Sequence, residues 1–400
     1  MAPLVRRMTE ADIADVAHIQ VEAFGGNVDS RMRRLHEGGR YAWQDGWVVE
    51  MDGAVAAAAI SIPATWWFAG APHPVSAISA VGVRAVARRR GFASELMRAV
   101  LQADGELGRP FSLLYPFQHG FYRRLGYATV GFTHFYRLPT AQLPDNRLLR
   151  ERVRMVQPAD YQAVYELYRW SLTHGAGGLE RSAAQWNDRW ISGDERWVIY
   201  ATDDVEGYLV YQPVEDQLNI TELVARTAAA ERGLWAFAAA QVEQRQAITY
   251  HAPTDQPLWA MLNEPLMHDG RSRGFVLNDA ATLTAGLMAR LVDIPAACER
   301  RQVPRHLQGQ VVFQLDDPVL AANRASFALC FEHGRLSAVP AQAAPVAACD
   351  VVTLSQLWCG VLRASSALRQ GHLHTSPETA RLLDQLFASP GPFIHPADWF

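Results

Sequence analysis

One short pattern occurs twice in this chain, and it limits the folds open to it more than any other feature. Val5-Arg6, Ala11-Asp12 and Val16 return 148 positions later as Val153-Arg154, Ala159-Asp160 and Val164. In the first copy, Thr9-Glu10-Ala11-Asp12 has the form of a capping box. Ile13, Val16, Ala17 and Phe24 then recur at helical spacing, so a strand around Leu4 to Met8 leads into an amphipathic helix. In the second copy Pro158 replaces Glu10 in the first helical turn, where proline is tolerated. Arg90-Gly91 before FASELMRAV and Arg232-Gly233 before LWAFAAAQV form another pair at nearly the same shift. Two matches at similar shifts predict a duplicated α/β unit. At roughly 150 residues per domain, 400 residues leave room for a third unit.

The polar stretch from Leu143 to Arg152 follows Pro139 and Pro144 and reads as the first linker. Beyond Arg290 the pattern turns α+β. Gln310 to Leu315 and Ala325 to Phe331 are strand-like, and Glu332-His333-Gly334-Arg335 reads as a turn into Leu336 to Val339. Ser376-Pro377-Glu378 opens a helix with an apolar Leu382, Leu383, Leu386, Phe387 face. The expected division is therefore 1–142, 143–288 and 289–400, the first two α/β and the third α+β. The apolar run from Ala54 to Ala71 is expected to form two buried strands broken at Ile62-Pro63 rather than a membrane span.

With 37 Lys+Arg against 41 Asp+Glu, the net charge of −4 gives no general field to attract nucleic acid. Cys298, Cys330, Cys349 and Cys359 match neither a zinc nor a redox spacing, and His372 and His374 lack a nearby carboxylate or cysteine, so no metal is expected. Charges at the N-terminus occupy the place of a secretory h-region, which reads as a cytoplasmic protein.

The segment carrying chemistry is Ala80 to Leu101. A β-like Val81-Gly82-Val83 runs into Arg88-Arg89-Arg90-Gly91-Phe92-Ala93-Ser94 and then an amphipathic helix. Strand, loop and helix in that order bring free N–H groups and the positive end of a helix dipole to one spot, which suits a pyrophosphate; arginines add charge-assisted bonds. It is neither a P-loop nor a dinucleotide fingerprint. A solvated basic loop is the plainer alternative. After a strand-like Phe111 to Phe117 comes Phe121-Tyr122-Arg123-Arg124-Leu125-Gly126-Tyr127.

Arg88-x-x-Gly91-x-Ala93 together with Phe121-Tyr122-x-x-x-Gly126-Tyr127 resembles the pattern of GCN5-related N-acetyltransferases (GNAT). The tandem α/β units, the sterol-carrier-like C-terminal region and the terminal phenylalanine resemble, over essentially the whole chain, the enhanced intracellular survival (Eis) family. That resemblance implies a mixed sheet flanked by helices in each GNAT-like unit. It implies acetyl-CoA as cosubstrate, a small-molecule amine such as an aminoglycoside as acceptor, and a homohexamer. It makes Val81, Gly82 and Val83 the pantetheine-binding edge, Arg88 to Ser94 the pyrophosphate cradle, and Phe117 and Gln118 contacts near the acetyl end. Tyr122 becomes the general acid and the α-carboxylate of Phe400 the general base. A free α-carboxyl has a pKa near ~3.5, so its part is to hold the acceptor ammonium and help remove its proton.

Candidate acceptor contacts are Phe24, Asp29, Trp66, Asp398 and Trp399. An aromatic at the penultimate position favours stacking over ion pairing. Aligning Gly233 with Gly91 puts Ala230 where Arg88 stands and Trp235 where Ala93 stands, so the second unit is expected not to bind CoA. Two other readings remain open at this point: a lipid or sterol carrier with vestigial GNAT units, and a protein-lysine acetyltransferase.

Overall fold

A computed structural model describes residues 3–39, 41–175, 177–191, 193–262, 264–265, 267 and 279–400. The first unit opens with β1 (Leu4–Arg7), α1 (Ile13–Phe24) and α2 (Val28–Glu37), followed by β2 (Gly46–Met51), β3 (Ala54–Phe68) and β4 (Ala71–Val83). Next come α3 (Phe92–Glu106), β5 (Phe111–Leu114), α4 (His119–Arg123) and β6 (Ala128–Thr129). α1 buries Ile13, Val16, Ala17, Ile19 and Gln20, a one-sided stripe laid on the sheet.

β3 is a single strand, contrary to the expected break at Ile62-Pro63. β2 begins opposite Ile60 and a later strand joins only at Trp66, so among the described residues Pro63 lies on a stretch of β3 without a strand on that flank, where a missing N–H costs no ladder bond. The chain reverses instead at Ala69-Gly70, both with positive φ, the tight turn that suits twisted hairpins.

The second unit contains β7 (Phe132–Pro139), α5 (Arg147–Arg150), β8 (Val153–Met155), α6 (Tyr161–His174), β9 (Gly178–Leu179), α7 (Ala183–Ile191) and β10 (Arg196–Ala201). It continues through β11 (Val205–Val214), β12 (Gln217–Ala225), α8 (Ala228–Ala239), β13 (Ala247–Pro253), β14 (Thr282–Ala285) and β15 (Met288–Leu291). The sheets exchange strands. The first runs β1-β2-β3-β4-β5-β15-β6 with β9 added to β3, and the second runs β14-β7-β13-β12-β11-β10-β8. Sheet membership therefore crosses the expected 142/143 and 288/289 boundaries: β7 pairs into the second sheet, and β15 returns to sit between β5 and β6. The expected linker is folded too, since it includes α5 and the buried Leu143.

The repeat is visible in atomic detail. Arg6 grips Asp12 through two bonds of 2.7 and 2.9 Å, and Arg154 grips Asp160 at 2.7 and 2.8 Å. Each carboxylate also accepts the N–H of the residue three positions before it. The correspondence of Gly233 with Gly91 fails, however. Gly91 caps α3, whereas Gly233 lies inside α8, where a Cβ would press on the Tyr200 ring.

The third region is a five-stranded sheet, with the expected hairpin of Ser326–Glu332 and Arg335–Pro340 turning at His333-Gly334. Ser376 caps the helix Pro377–Leu386 by accepting the Thr379 N–H. Its core is continuous with one face of the first sheet: Trp66, Phe111 and Leu291 cluster with Phe313, Phe331, Trp358 and Leu383. Arg290 of β15, fully buried, joins Asp317 at 2.6 Å and donates to the Leu125 carbonyl. Among the described residues no helix is long and apolar enough to cross a membrane.

Candidate functional site

β4 and β5 run parallel from Val75 opposite Phe111 to Ile78 opposite Leu114, and there β5 ends. From Ser79 to Val83, β4 pairs only with β3 among the described strands, which leaves an open edge on the other side, and Arg88 Nε donates to the Val83 carbonyl at 3.4 Å. A bulge at Ala80, a non-glycine residue at φ 51°, sharpens the divergence. Gly82 serves α1 as well, because a Cβ there would meet Ile19 Cγ2 at 2.7 Å.

After Val83 the chain makes an eight-residue loop before α3. Arg89 and Gly91 both take positive φ, 62° and 93°, and an arginine in that region marks a strained position of the kind found at binding sites. Gly91 offers no side chain to cap the helix, and Ser94 and Glu95 N–H groups bond back to the Gly91 carbonyl. The donors of Phe92 and Ala93 are left for an external anion.

The cavity here, about 850 Å³, is lined by Val81, Gly82, Val83, Arg88, Arg89, Gly91, Phe92, Ala93, Ser94, Phe117 and Gln118. Arg90 alone of the expected cradle is absent from this wall; its guanidinium lies 5.1 Å from the Phe92 ring. Phe121 and Arg124, both in the FYRRLGY motif, line it as well, with Ala23, Phe24 and Ala87. An extended acyl-CoA fits this set on three grounds: an uncapped helix start, a free strand edge and a cationic loop.

A second cavity of about 620 Å³ adjoins the first through shared Phe24, Val81 and Phe117. Phe24 and Phe117 are 49% and 65% exposed, large apolar side chains left uncovered at the junction. Tyr122 of α4 reaches this second cavity, its ring packed against Phe117, Phe121 and Tyr127. Burial pushes the Tyr122 phenol above its ordinary value of about 10. Gly126 makes the motif's turn possible: φ is 90°, and a Cβ would collide with the Arg290 guanidinium.

Trp399 and Phe400 form the opposite wall. Phe400 packs edge-on to Tyr115 at 5.3 Å, and Trp399 lies between Tyr115 and His251 with its indole N–H on the Ile394 carbonyl at 3.1 Å. Tyr115, Tyr41, Arg31, Arg34 and Asp188 also line the cavity and were not foreseen. Only the closeness of Tyr115 to the end of β5 gave any sequence signal for them.

Three expected acceptor contacts belong elsewhere. Trp66 is fully buried, stacked on Phe68 at 4.9 Å and edge-on to Phe111 at 5.3 Å, so it is a core residue. Asp398 is buried and bound by Arg181 through two 2.7 Å bonds, with Tyr168 donating to it at 3.2 Å; it is no free anion for a polycation. Asp29 lies exposed in the first turn of α2, outside the walls of both cavities.

The equivalent cleft of the second unit is built differently. β12 diverges from β13 after Ile220 and Tyr250, as β4 does from β5, but only Arg226 and Thr227 separate β12 from α8. The Thr227 hydroxyl caps α8 by accepting the Ala230 N–H at 3.1 Å. The anion-binding loop is missing, its helix start is occupied, and Phe393 and His395 of the C-terminal tail line the roughly 350 Å³ that remain.

Residues 4–130 and 177–291 each match an acetyltransferase (GNAT) domain family, and residues 294–395 match a sterol carrier protein domain. The chain is built as an N-acetyltransferase, with tandem GNAT domains followed by a sterol-carrier-like domain; GNAT domains use acetyl-CoA as cosubstrate. Among solved structures it resembles a GCN5-related N-acetyltransferase from Anabaena variabilis (22% identity, TM-score 0.84, all of both chains). It also resembles one from Kribbella flavida (23%, 0.82, 100% of this chain and 98% of that one) and Eis1 from Mycobacterium abscessus (20%, 0.77, all of both chains). No curated protein matches the chain in sequence.

Proposed function

We propose that this chain transfers an acetyl group from acetyl-CoA to the amine of a small acceptor held in the cavity between Tyr122 and Phe400. The observation that carries this reading is the meeting of two cavities at Phe24, Val81 and Phe117, one with an anion cradle and the other with a phenol and the Phe400 end of the chain. Bound along β4 and α3, acetyl-CoA supplies the acetyl thioester. The Phe400 carboxylate holds the acceptor ammonium and takes part in removing its proton. Tyr122 gives its proton to the departing thiolate. Aminoglycosides, the acceptor class that the Eis resemblance brings, are the first to try. The second GNAT domain, without its loop, supports the site from behind. The test is thiol release from acetyl-CoA with and without a panel of amines.

Tyr122→Phe removes the proton donor and keeps the ring packing, so kcat is expected to fall about 10²- to 10⁴-fold with KM for acetyl-CoA little changed. Because burial raises the Tyr122 pKa, the phenol stays protonated through its ordinary value of about 10. The kcat profile of the wild type should therefore show no alkaline loss from this group up to that pH; a limb below it would remove Tyr122 from the acid role.

Arg89→Ala acts on the other cavity. Losing one charge-assisted contact to the pyrophosphate is expected to raise KM for acetyl-CoA about tenfold, leaving kcat near the wild-type value, as steady-state kinetics would read directly.

A further inference from the structure

The wall charges of the acceptor cavity point to a different substrate class from a polycation. Arg31 and Arg34 stand three residues apart on α2, on one helical face, and both line the cavity that Tyr122 and Phe400 define. No ion pair joins either to a carboxylate among the described residues, and Arg31 makes a 3.5 Å contact to the Gly25 carbonyl. Several arginines elsewhere in the fold do have carboxylate partners: Arg6 has Asp12, Arg154 has Asp160, Arg181 has Asp398 and Glu222, and Arg290 has Asp317. The opposing wall carries Asp188 of α7 and Phe400, whose carboxylate the proposed function uses. Asp398, one of the two carboxylates among the candidate acceptor contacts, is held by Arg181.

Two unpaired guanidinium groups repel an acceptor with several ammonium groups. They suit one with an ammonium at one end and an oxyanion at the other, because guanidinium binds carboxylate and phosphate through paired N–H donors. We propose that the acceptor is an amine that also carries a carboxylate or a phosphate. Its oxyanion is held by Arg31 and Arg34, and its nitrogen is presented to the Phe400 side of the cavity. The volume of about 620 Å³ is that of a small-molecule site, and Trp399 and Tyr41 supply an aromatic wall for the body of such a molecule. This inference rests on reading the cavity as the acceptor site.

The experiment measures thiol release by the full chain with three matched sets. These are amino acids against their amides, aminoalkyl phosphates against the corresponding amino alcohols, and an aminoglycoside. Each is repeated with Arg31→Gln/Arg34→Gln. The expected result is a kcat/KM advantage of about tenfold or more for the anionic member of at least one pair, reduced severalfold by the double substitution and by salt. The amino acid and phosphate arms tell which oxyanion is preferred. A wild type that prefers the neutral partner or the aminoglycoside, or a preference untouched by the substitutions, overturns the proposal. Calorimetric binding of the same compounds to the CoA-loaded protein separates this question from catalysis. Anion-selective binding lost in the double variant but without turnover would keep the proposal and defeat acetyl transfer, whereas unselective binding would defeat the proposal alone.

Discussion

Deletion of Phe400 is expected to lower kcat for acetyl transfer about 10²- to 10⁴-fold, the contribution of a positioned proton acceptor, with KM for acetyl-CoA changed less than about threefold. The deletion leaves a terminal carboxylate, but one residue earlier, a displacement of about 3.5 Å along an extended chain. Trp399 cannot shift to compensate, because its indole is tied to the Ile394 carbonyl and packed on His251 and Tyr115. A misplacement of about 1 Å at a reacting centre can already cost 10²-fold. The deletion also removes a ring that packs on Tyr115, so a second variant isolates the charge. Adding one glycine after Phe400 keeps the phenyl anchor and turns its carboxylate into an amide. The extended chain should lose as much kcat as the deleted one; full activity in the extended chain would make Phe400 an apolar anchor only.

What the sequence shows of this site and what it hides divide along physical lines. The loop from Arg88 to Ser94, proposed as the cradle, is legible as a local feature because strand, loop and helix are contiguous, although the outward turn of Arg90 is not. The duplication is legible because the Arg6–Asp12 and Arg154–Asp160 pairs are each closed within six positions. Asp398 is not legible, since its partner Arg181 is 217 residues away, and a loop aspartate looks the same with or without one. Trp66 and Trp67 look alike in sequence, yet neighbouring residues on a strand face opposite sides: Trp66 enters the core, and Trp67 donates to Glu180 at 3.2 Å. The glycines at 91 and 233 have opposite uses, one at a left-handed cap and one at a close helix–sheet contact, and a shared Arg-Gly pair cannot tell them apart. The strand exchange is hidden as well, because the apolar patterns of β7 and β15 carry no mark of the sheet each will join.

Arg181→Met is expected to cost about 3–5 kcal/mol of stability and to loosen the C-terminal tail from the proposed acceptor cavity. Arg181 is the hub of a buried cluster. It binds Asp398 of the tail at 2.7 Å on two atoms and Glu222 of β12 at 2.7 and 3.1 Å, and it stacks over the Tyr168 ring at 3.9 Å. Arg189 binds Glu222 from the other side at 2.6 Å and also holds Glu195. Burial alone would raise the Glu222 pKa, but Arg181 and Arg189 hold it well below the usual carboxylate range. The stability it contributes is complete above a pH of about 4.5, its ordinary value, and is lost as pH falls through the depressed one. Methionine fills the space but strands Asp398 and half of Glu222 as unpaired buried charges, whereas Arg181→Lys keeps a charge that cannot fork to both. Asp398→Asn separates anchoring from folding: Arg181 retains Glu222, so the loss of stability should be smaller, while the tail loses its ionic tie. If the cluster positions Phe400, Asp398→Asn lowers kcat severalfold with KM for acetyl-CoA unchanged, and thermal unfolding shows the domains intact. An unchanged kcat in Asp398→Asn would make the cluster a stabilising core and leave the placement of Phe400 to Trp399 and Tyr115.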